Sequence, residues 1–138
     1  MHNINNGTLL KGRHAVITGC RRGIGKVTLE LFAQNGAQIW ACIREPDPEF
    51  SRYVDSLARE HNVRITPVYF DLADSNQVKK GAREILSSKL PINVLVNNAG
   101  VISTSPFQLT SVEKIKELFE INYFNQLYLT QILSRAIA

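Results

Sequence analysis

Apolar residues along the chain come in short unbroken runs, separated by longer stretches in which they recur every three or four positions. The first run, His14-Ala15-Val16-Ile17-Thr18, predicts a buried strand, and "TGCRRGIG", Thr18 to Gly25, predicts the turn after it. Lys26 to Asn35 then places Val27, Leu31 and Gln34 at helical spacing, with Gly36 as a stop. Ile39 to Ile43 predicts a second strand. Asp47-Pro48 has the cap and first-turn chemistry of a helix start, and Phe50, Tyr53, Val54, Leu57 and Ala58 form an apolar stripe up to about Glu60. A third strand is expected over Arg64 to Phe70, where Pro67 argues for an edge position or a bulge. Asp74 or Ser75 can cap a helix through Val78, Ala82, Ile85 and Leu86, and Pro91 breaks the chain before a fourth strand, Asn93 to Val96. Thr110 or Ser111 can cap a long last helix through Val112, Ile115, Leu118, Phe119, Asn122 and Leu127. With no glycine or proline to stop it, that helix is expected to reach the last residue.

Near-continuously apolar strands that alternate with amphipathic helices predict a parallel sheet covered on both faces. Right-handed crossovers and a break in strand order give a Rossmann-like, doubly wound α/β fold, here partial, with about four strands in the order 3-2-1-4. In such sheets ligands bind where the order reverses, at the carboxyl ends of strands 1 and 4. Those ends carry "TGCRRGIG" and "NNAG", Asn97 to Gly100.

Charge sharpens this picture. Residues 1–44 hold six basic groups (Lys11, Arg13, Arg21, Arg22, Lys26, Arg44) against the single acid Glu30, whereas residues 45–138 hold ten against eleven. The surplus sits around the glycine-rich segment. A solvated basic face and a nucleic-acid surface are the alternatives, but no lysine/arginine run, zinc-finger spacing or basic helix accompanies it, so a small polyanion at the glycines is favoured. Cys20 and Cys42 are read as reduced thiols, and His2, His14 and His61 are scattered without metal-ligand spacing, so no metal is expected. Residues Met1 to Asn6 lack a signal peptide's features and no apolar run is long enough for a membrane span; a soluble cytoplasmic protein is expected.

Gly19, Gly23 and Gly25 suit a tight strand-to-helix turn whose backbone N–H groups can approach a phosphate, helped by the helix dipole. A purely structural turn is the alternative. A Walker-type phosphate loop is excluded: Gly25-Lys26 follows Gly19 at the wrong spacing, and Val27 offers no hydroxyl for magnesium. The spacing G-x-x-x-G-x-G also departs from the general dinucleotide fingerprint G-x-G-x-x-G.

Thr18-Gly-x-x-x-Gly-Ile-Gly25, Asp71-Leu72 after the third strand and Asn97-Asn98-Ala99-Gly100 after the fourth together resemble the short-chain dehydrogenase/reductases, in particular the classical type that includes 3-oxoacyl-carrier-protein reductases. The resemblance runs from about residue 12 to the end and implies that residues 1–138 are an NADP-binding Rossmann domain, the N-terminal part of a longer reductase domain. It implies that Gly19, Gly23, Ile24 and Gly25 line the cofactor's pyrophosphate, with Thr18 and Arg21 also among the cofactor-binding residues. Asp71 would hydrogen-bond the adenine amino group beside the Leu72 backbone, with a loop-capping role as its alternative. Asn98, Ala99, Gly100 and Val101 would follow the adenine ribose toward the nicotinamide. Asn97 is as readily a structural tie between strand 4 and its neighbours.

The family's ribose-binding acid falls on Ile43, with Arg44 next to it, and Arg22 stands where phosphate-preferring members carry a basic residue. Together Arg22 and Arg44 could clamp a 2′-phosphate, which favours NADP(H); Glu45 could serve as a ribose-binding acid instead. The resemblance further implies a small carbonyl or acyl-thioester substrate, no nucleic-acid or membrane partner, and a homo-oligomer paired through the fourth and fifth helices. For the chemistry the family uses serine, asparagine and a Tyr-x-x-x-Lys pair. Asn122 matches the asparagine, with a satisfied core amide as the alternative, while Asn125 replaces a usually small residue. Tyr53, Tyr69, Tyr123 and Tyr128 are followed four positions on by Leu57, Ala73, Leu127 and Ile132, so none makes the pair. The chain alone is therefore expected to be inactive.

Overall fold

The structure, a computed structural model, describes residues 7–137. Met1 to Asn6, the segment lacking a signal peptide's features, and Ala138 lie outside the described residues.

Four strands, β1 (His14–Thr18), β2 (Gln38–Ile43), β3 (Ile65–Tyr69) and β4 (Val94–Val96), form one parallel sheet in the order β3-β2-β1-β4. The period-two alternation of strand side chains sends Ala15, Ile17, Ile39, Ala41 and Ile43 to one face. There they meet Leu29 and Ala33 of α1 (Gly23–Gln34) and Phe50, Val54 and Leu57 of α2 (Pro48–His61). Val16, Trp40, Cys42 and Val68 point the other way. They pack on Val78, Ala82 and Ile85 of α3 (Ser75–Ser87) and on Leu129 and Leu133 of α5 (Asn125–Leu133). Helices thus cover both faces, the Rossmann-like α/β arrangement expected. Pro67 sits on the outer strand β3, where its missing N–H removes no ladder bond on the open side.

The helix starts are chemically distinct. Asp47 caps α2 by accepting from the backbone N–H of Glu49 and Phe50, Asp74 caps α3 by accepting from Asn76 and Gln77, and Ser111 caps α4 (Val112–Phe119) by accepting from Lys114. Only α1 among these four starts without a side-chain cap, at Arg22.

Two helices differ from expectation. The first begins at Gly23 rather than Lys26, and it buries Gly25, Leu29 and Ala33, leaving Val27 and Leu31 about half exposed at 53% and 47%. The stripe that packs on β1 is a row of smaller residues, offset from the Val27 row, because the tight turn brings the helix close to the sheet. The last helix is not continuous. A π-helical turn, Glu120–Phe124, separates α4 from α5, and its one-residue offset rotates α5 relative to α4. Ile121, Asn125, Leu129 and Leu133 are buried, while Val112, Phe119 and Leu127 stay exposed. Nor does the helix reach the end. After a 3-10 turn at Ser134–Ala136, Ile137 is extended and pairs in parallel with Ile92, whose N–H donates to the Ala136 carbonyl at 2.7 Å. Tertiary pairing, not a local stop residue, ends it.

Candidate dinucleotide site

A cleft of about 800 Å³ opens at the carboxyl ends of the strands, where the order reverses between β1 and β4. Of the cofactor residues expected from the sequence, all but Gly25 line it. Cys42 and Phe70, which sequence reasoning did not place there, line it too, as do Ile43 and Glu45. The signal for them is position alone: each stands at or just past the carboxyl end of β2 or β3.

The floor is held by Thr18. Its buried hydroxyl accepts from the backbone N–H of Asn98 and Ala99 at 3.1 and 3.0 Å and donates to the Val96 carbonyl at 3.4 Å. The Asn98 side-chain amide returns the contact, donating to the carbonyls of Thr18 and Gly19 at 3.1 and 3.3 Å. The Asn97 amide makes the structural tie read for it, donating to Thr130 Oγ1 on α5 at 3.0 Å, and Asn98 adds a second tie from the end of β4 to β1. The Cys42 carbonyl accepts from Gly19 and Cys20 and so fixes the turn to β2. Cys20 and Cys42 are both free and buried; burial pushes the Cys20 thiol up to about 12, and burial also raises Cys42, so both stay protonated thiols at neutral pH.

The glycines divide the labour. Gly19 has φ +70°, and a Cβ on it would lie 2.8 Å from Asn98 Nδ2. Gly25 is buried behind the cleft, where a Cβ would fall 2.0 Å from the Gly19 carbonyl oxygen; its absence lets α1 begin directly against the turn. Gly23, at φ +59°, has nothing within 4 Å of a would-be Cβ and leaves the lip of the cleft open.

Electrostatics separate three arginines. Arg21 Nε lies 2.9 Å from Asp47 Oδ2, and Arg44 lies 3.5 Å from its neighbour Glu45. Arg22 has no acidic partner within 4.0 Å among the described residues. Asp71 accepts from Ala73 N at 2.9 Å through Oδ1, the loop-capping role, and its backbone N–H donates to Gln77 Oε1 at 3.0 Å. Asn122 lies outside the cleft lining, in the π-helical turn, and makes two bonds to Val101: Oδ1 accepts from its N–H at 2.8 Å and Nδ2 donates to its carbonyl at 2.7 Å. Asn125, which replaces a small residue, is accommodated as a buried amide donating to the Leu72 carbonyl at 2.6 Å. No tyrosine, histidine or lysine stands among the cleft-lining residues.

A glycine turn feeds a helix without a side-chain cap at the switch point, opposite Asn98-Ala99-Gly100. Residues 13–138 match the short chain dehydrogenase family model. The chain belongs to this family. It is 34% identical over 123 residues to the NADPH-dependent 3-dehydrocapnine reductase of Ornithobacterium rhinotracheale, covering 88% of this chain and 42% of that protein. To human L-xylulose reductase it is 33% identical over 128 residues, covering 93% and 48% respectively. The crystal structure of L-sorbose reductase from Gluconobacter frateurii, complexed with NADPH and L-sorbose, superposes with a TM-score of 0.86 at 30% identity, covering 93% of this chain and 48% of that one. The short-chain dehydrogenase chain thus spans less than half the length of each of these relatives.

The cleft's chemistry fits the dinucleotide such a fold carries. The first-turn N–H groups of α1 have no side-chain acceptor and no acidic residue in that turn, so the helix start can take a pyrophosphate's charge. Among the described residues no helix is long and apolar enough to cross a membrane.

Proposed function

We propose that the chain forms the NADP(H)-binding part of an NADPH-dependent oxidoreductase of the short-chain type that reduces a ketone, such as a 3-oxoacyl thioester. The observation that carries the cofactor reading is Arg22. It lines the cleft at the uncapped start of α1 and has no acidic partner within 4.0 Å among the described residues, while Arg44 stands at the end of β2 beside an exposed, weakly held partner. Thr18, Gly19, Gly23, Ile24 and Gly25 would hold or shape the pyrophosphate end, Arg22 and Arg44 the 2′-phosphate with Arg21 in the wall beside them, Asp71 and Leu72 the adenine, and Asn98, Ala99, Gly100 and Val101 the path to the nicotinamide. Bound there, the cofactor supplies the hydride. Asn122, by holding Val101 from both sides, orients the end of that path.

A second reading, a non-catalytic NADP-binding module, is favoured by one observation: among the described residues the cleft lining carries no tyrosine, histidine or lysine. The two readings make one shared statement about this polypeptide. It binds NADPH saturably, followed by the fluorescence of the reduced nicotinamide, and does not oxidise it when a panel of ketones and 3-oxoacyl thioesters is added. Measurable turnover contradicts the expectation that this polypeptide alone is inactive. The exposed apolar side chains of Phe119, Tyr123 and Leu127 lie along the single run that α4, the π-helical turn and α5 make, and support that run's part in pairing two copies.

A further inference from the structure

Two segments approach the phosphate end of the cleft from different elements: the glycine turn before α1, and the Arg44 to Asp47 link between β2 and α2. Their roots are joined by the Cys42 carbonyl, but their outer parts are joined through Asp47. Its Oδ1 accepts from Glu49 N and Phe50 N at 2.9 and 3.3 Å, which starts α2, and its Oδ2 accepts from Arg21 Nε at 2.9 Å, in the middle of the turn. The Asp47 side chain is only 17% exposed, whereas both partners in the looser Arg44–Glu45 pair are about two-thirds exposed. One carboxylate thus serves two elements from a sheltered position.

We propose that the Asp47–Arg21 ion pair is a clasp that sets Arg22 and Arg44 at the spacing needed to grip the 2′-phosphate, which makes Asp47 a specificity-determining residue for the phosphorylated dinucleotide. The proposal rests on the reading of this cleft as an NADPH site. Arg22 follows Arg21 directly and is the extended residue from which α1 starts, with φ −155° and ψ 173°, so pinning Arg21 fixes the direction in which the Arg22 side chain leaves the turn. Arg44 stands three residues before the other half of the clasp. A planar guanidinium gives a bidentate contact only when its root is correctly placed, so the distance between these two roots decides whether both can reach one phosphate. A carboxylate near a phosphate site is a repulsive charge unless something absorbs it, and Arg21 does so.

The test pairs Asp47→Asn with Arg21→Gln in the 138-residue chain and titrates each with NADPH and with NADH. Asparagine is an equally good helix cap, so the start of α2 survives while the charge is lost. Charge alone predicts opposite signs: losing the carboxylate tightens NADPH and losing the guanidinium weakens it. The clasp predicts the same sign for both, a weakening of NADPH by about fivefold with NADH changed less than about twofold, and a double variant no weaker than the weaker single one. NADPH binding that is unchanged or tighter in Asp47→Asn, or equal losses for the two dinucleotides, overturns the proposal. Should Asp47→Asn fail to fold in a thermal melt, Arg21→Gln, on a largely exposed side chain, still decides between selective and equal loss. A wild-type chain that does not prefer NADPH overturns the reading beneath the proposal instead.

Discussion

At the α1 end of the cleft, basic side chains from two elements line the wall beside a helix start without a side-chain cap, and hydrogen bonds from Gly19, Cys20 and Asn98 tie the turn to its neighbours. At the other end, past Gly100, the lining carries no titratable side chain, and Ile102, Phe107 and Leu109 come next with 86%, 81% and 79% of their surface exposed. The first end presents Arg21, Arg22 and Arg44 beside a helix start without a side-chain cap. The second is a positioned strip of backbone, Val101 gripped by Asn122, with no proton donor beside it. On the proposed function, holding a cofactor and reacting with it are separable, with the holding part assigned to residues 18–101. Nothing in the second end depends on the arginines, which makes the contrast open to direct attack.

The largest effect belongs to the joint on which both ends depend. Gly25→Ala drives a Cβ to 2.0 Å from the Gly19 carbonyl oxygen, a backbone atom that cannot swing away. The expected result is a loss of about 2–4 kcal/mol in stability, read as a lower midpoint in thermal unfolding, with NADPH binding abolished. A variant that melts and binds like the wild type contradicts the packing role assigned to Gly25.

Asn122→Ala should touch one end only. It removes two hydrogen bonds on an exposed side chain, at a cost of about 1 kcal/mol. NADPH affinity should fall a few-fold, while 2′,5′-ADP, which reaches only the adenosine end, should bind as before. Equal losses for both ligands would mean that the two ends are not independent.

Much of this was readable in the residues, for physical reasons that differ by element. Strands buried on both faces are near-continuously apolar, so β1 and β2 stand out, and Asp47, Asp74 and Ser111 cap helices through purely local chemistry. Which face of α1 is buried was not readable. Val27 and Leu31 are the more apolar choice by side chain, but the close approach allowed by Gly25 selects Leu29 and Ala33. The π-helical turn at Asn122 has no local signature, because the Asn122 to Val101 bonds that accompany it span 21 positions. Phe70 was missed for a similar reason. Its ring sits in the cleft wall only because Gly81 of α3 lacks a side chain, a Cβ there falling 2.4 Å from the ring. The stop before Ile137 comes from pairing with Ile92, 45 residues earlier in the sequence.

The central claim is that Arg22 gives this cleft its preference for a 2′-phosphate, and it is tested most directly by titrating the wild-type chain and Arg22→Ala with NADPH and NADH side by side. The account predicts that the wild type binds NADPH more tightly, and that the substitution weakens NADPH about tenfold or more while leaving NADH within about twofold. An Arg22→Ala chain that binds NADPH as tightly as the wild type, or a wild type that binds NADH better, contradicts it.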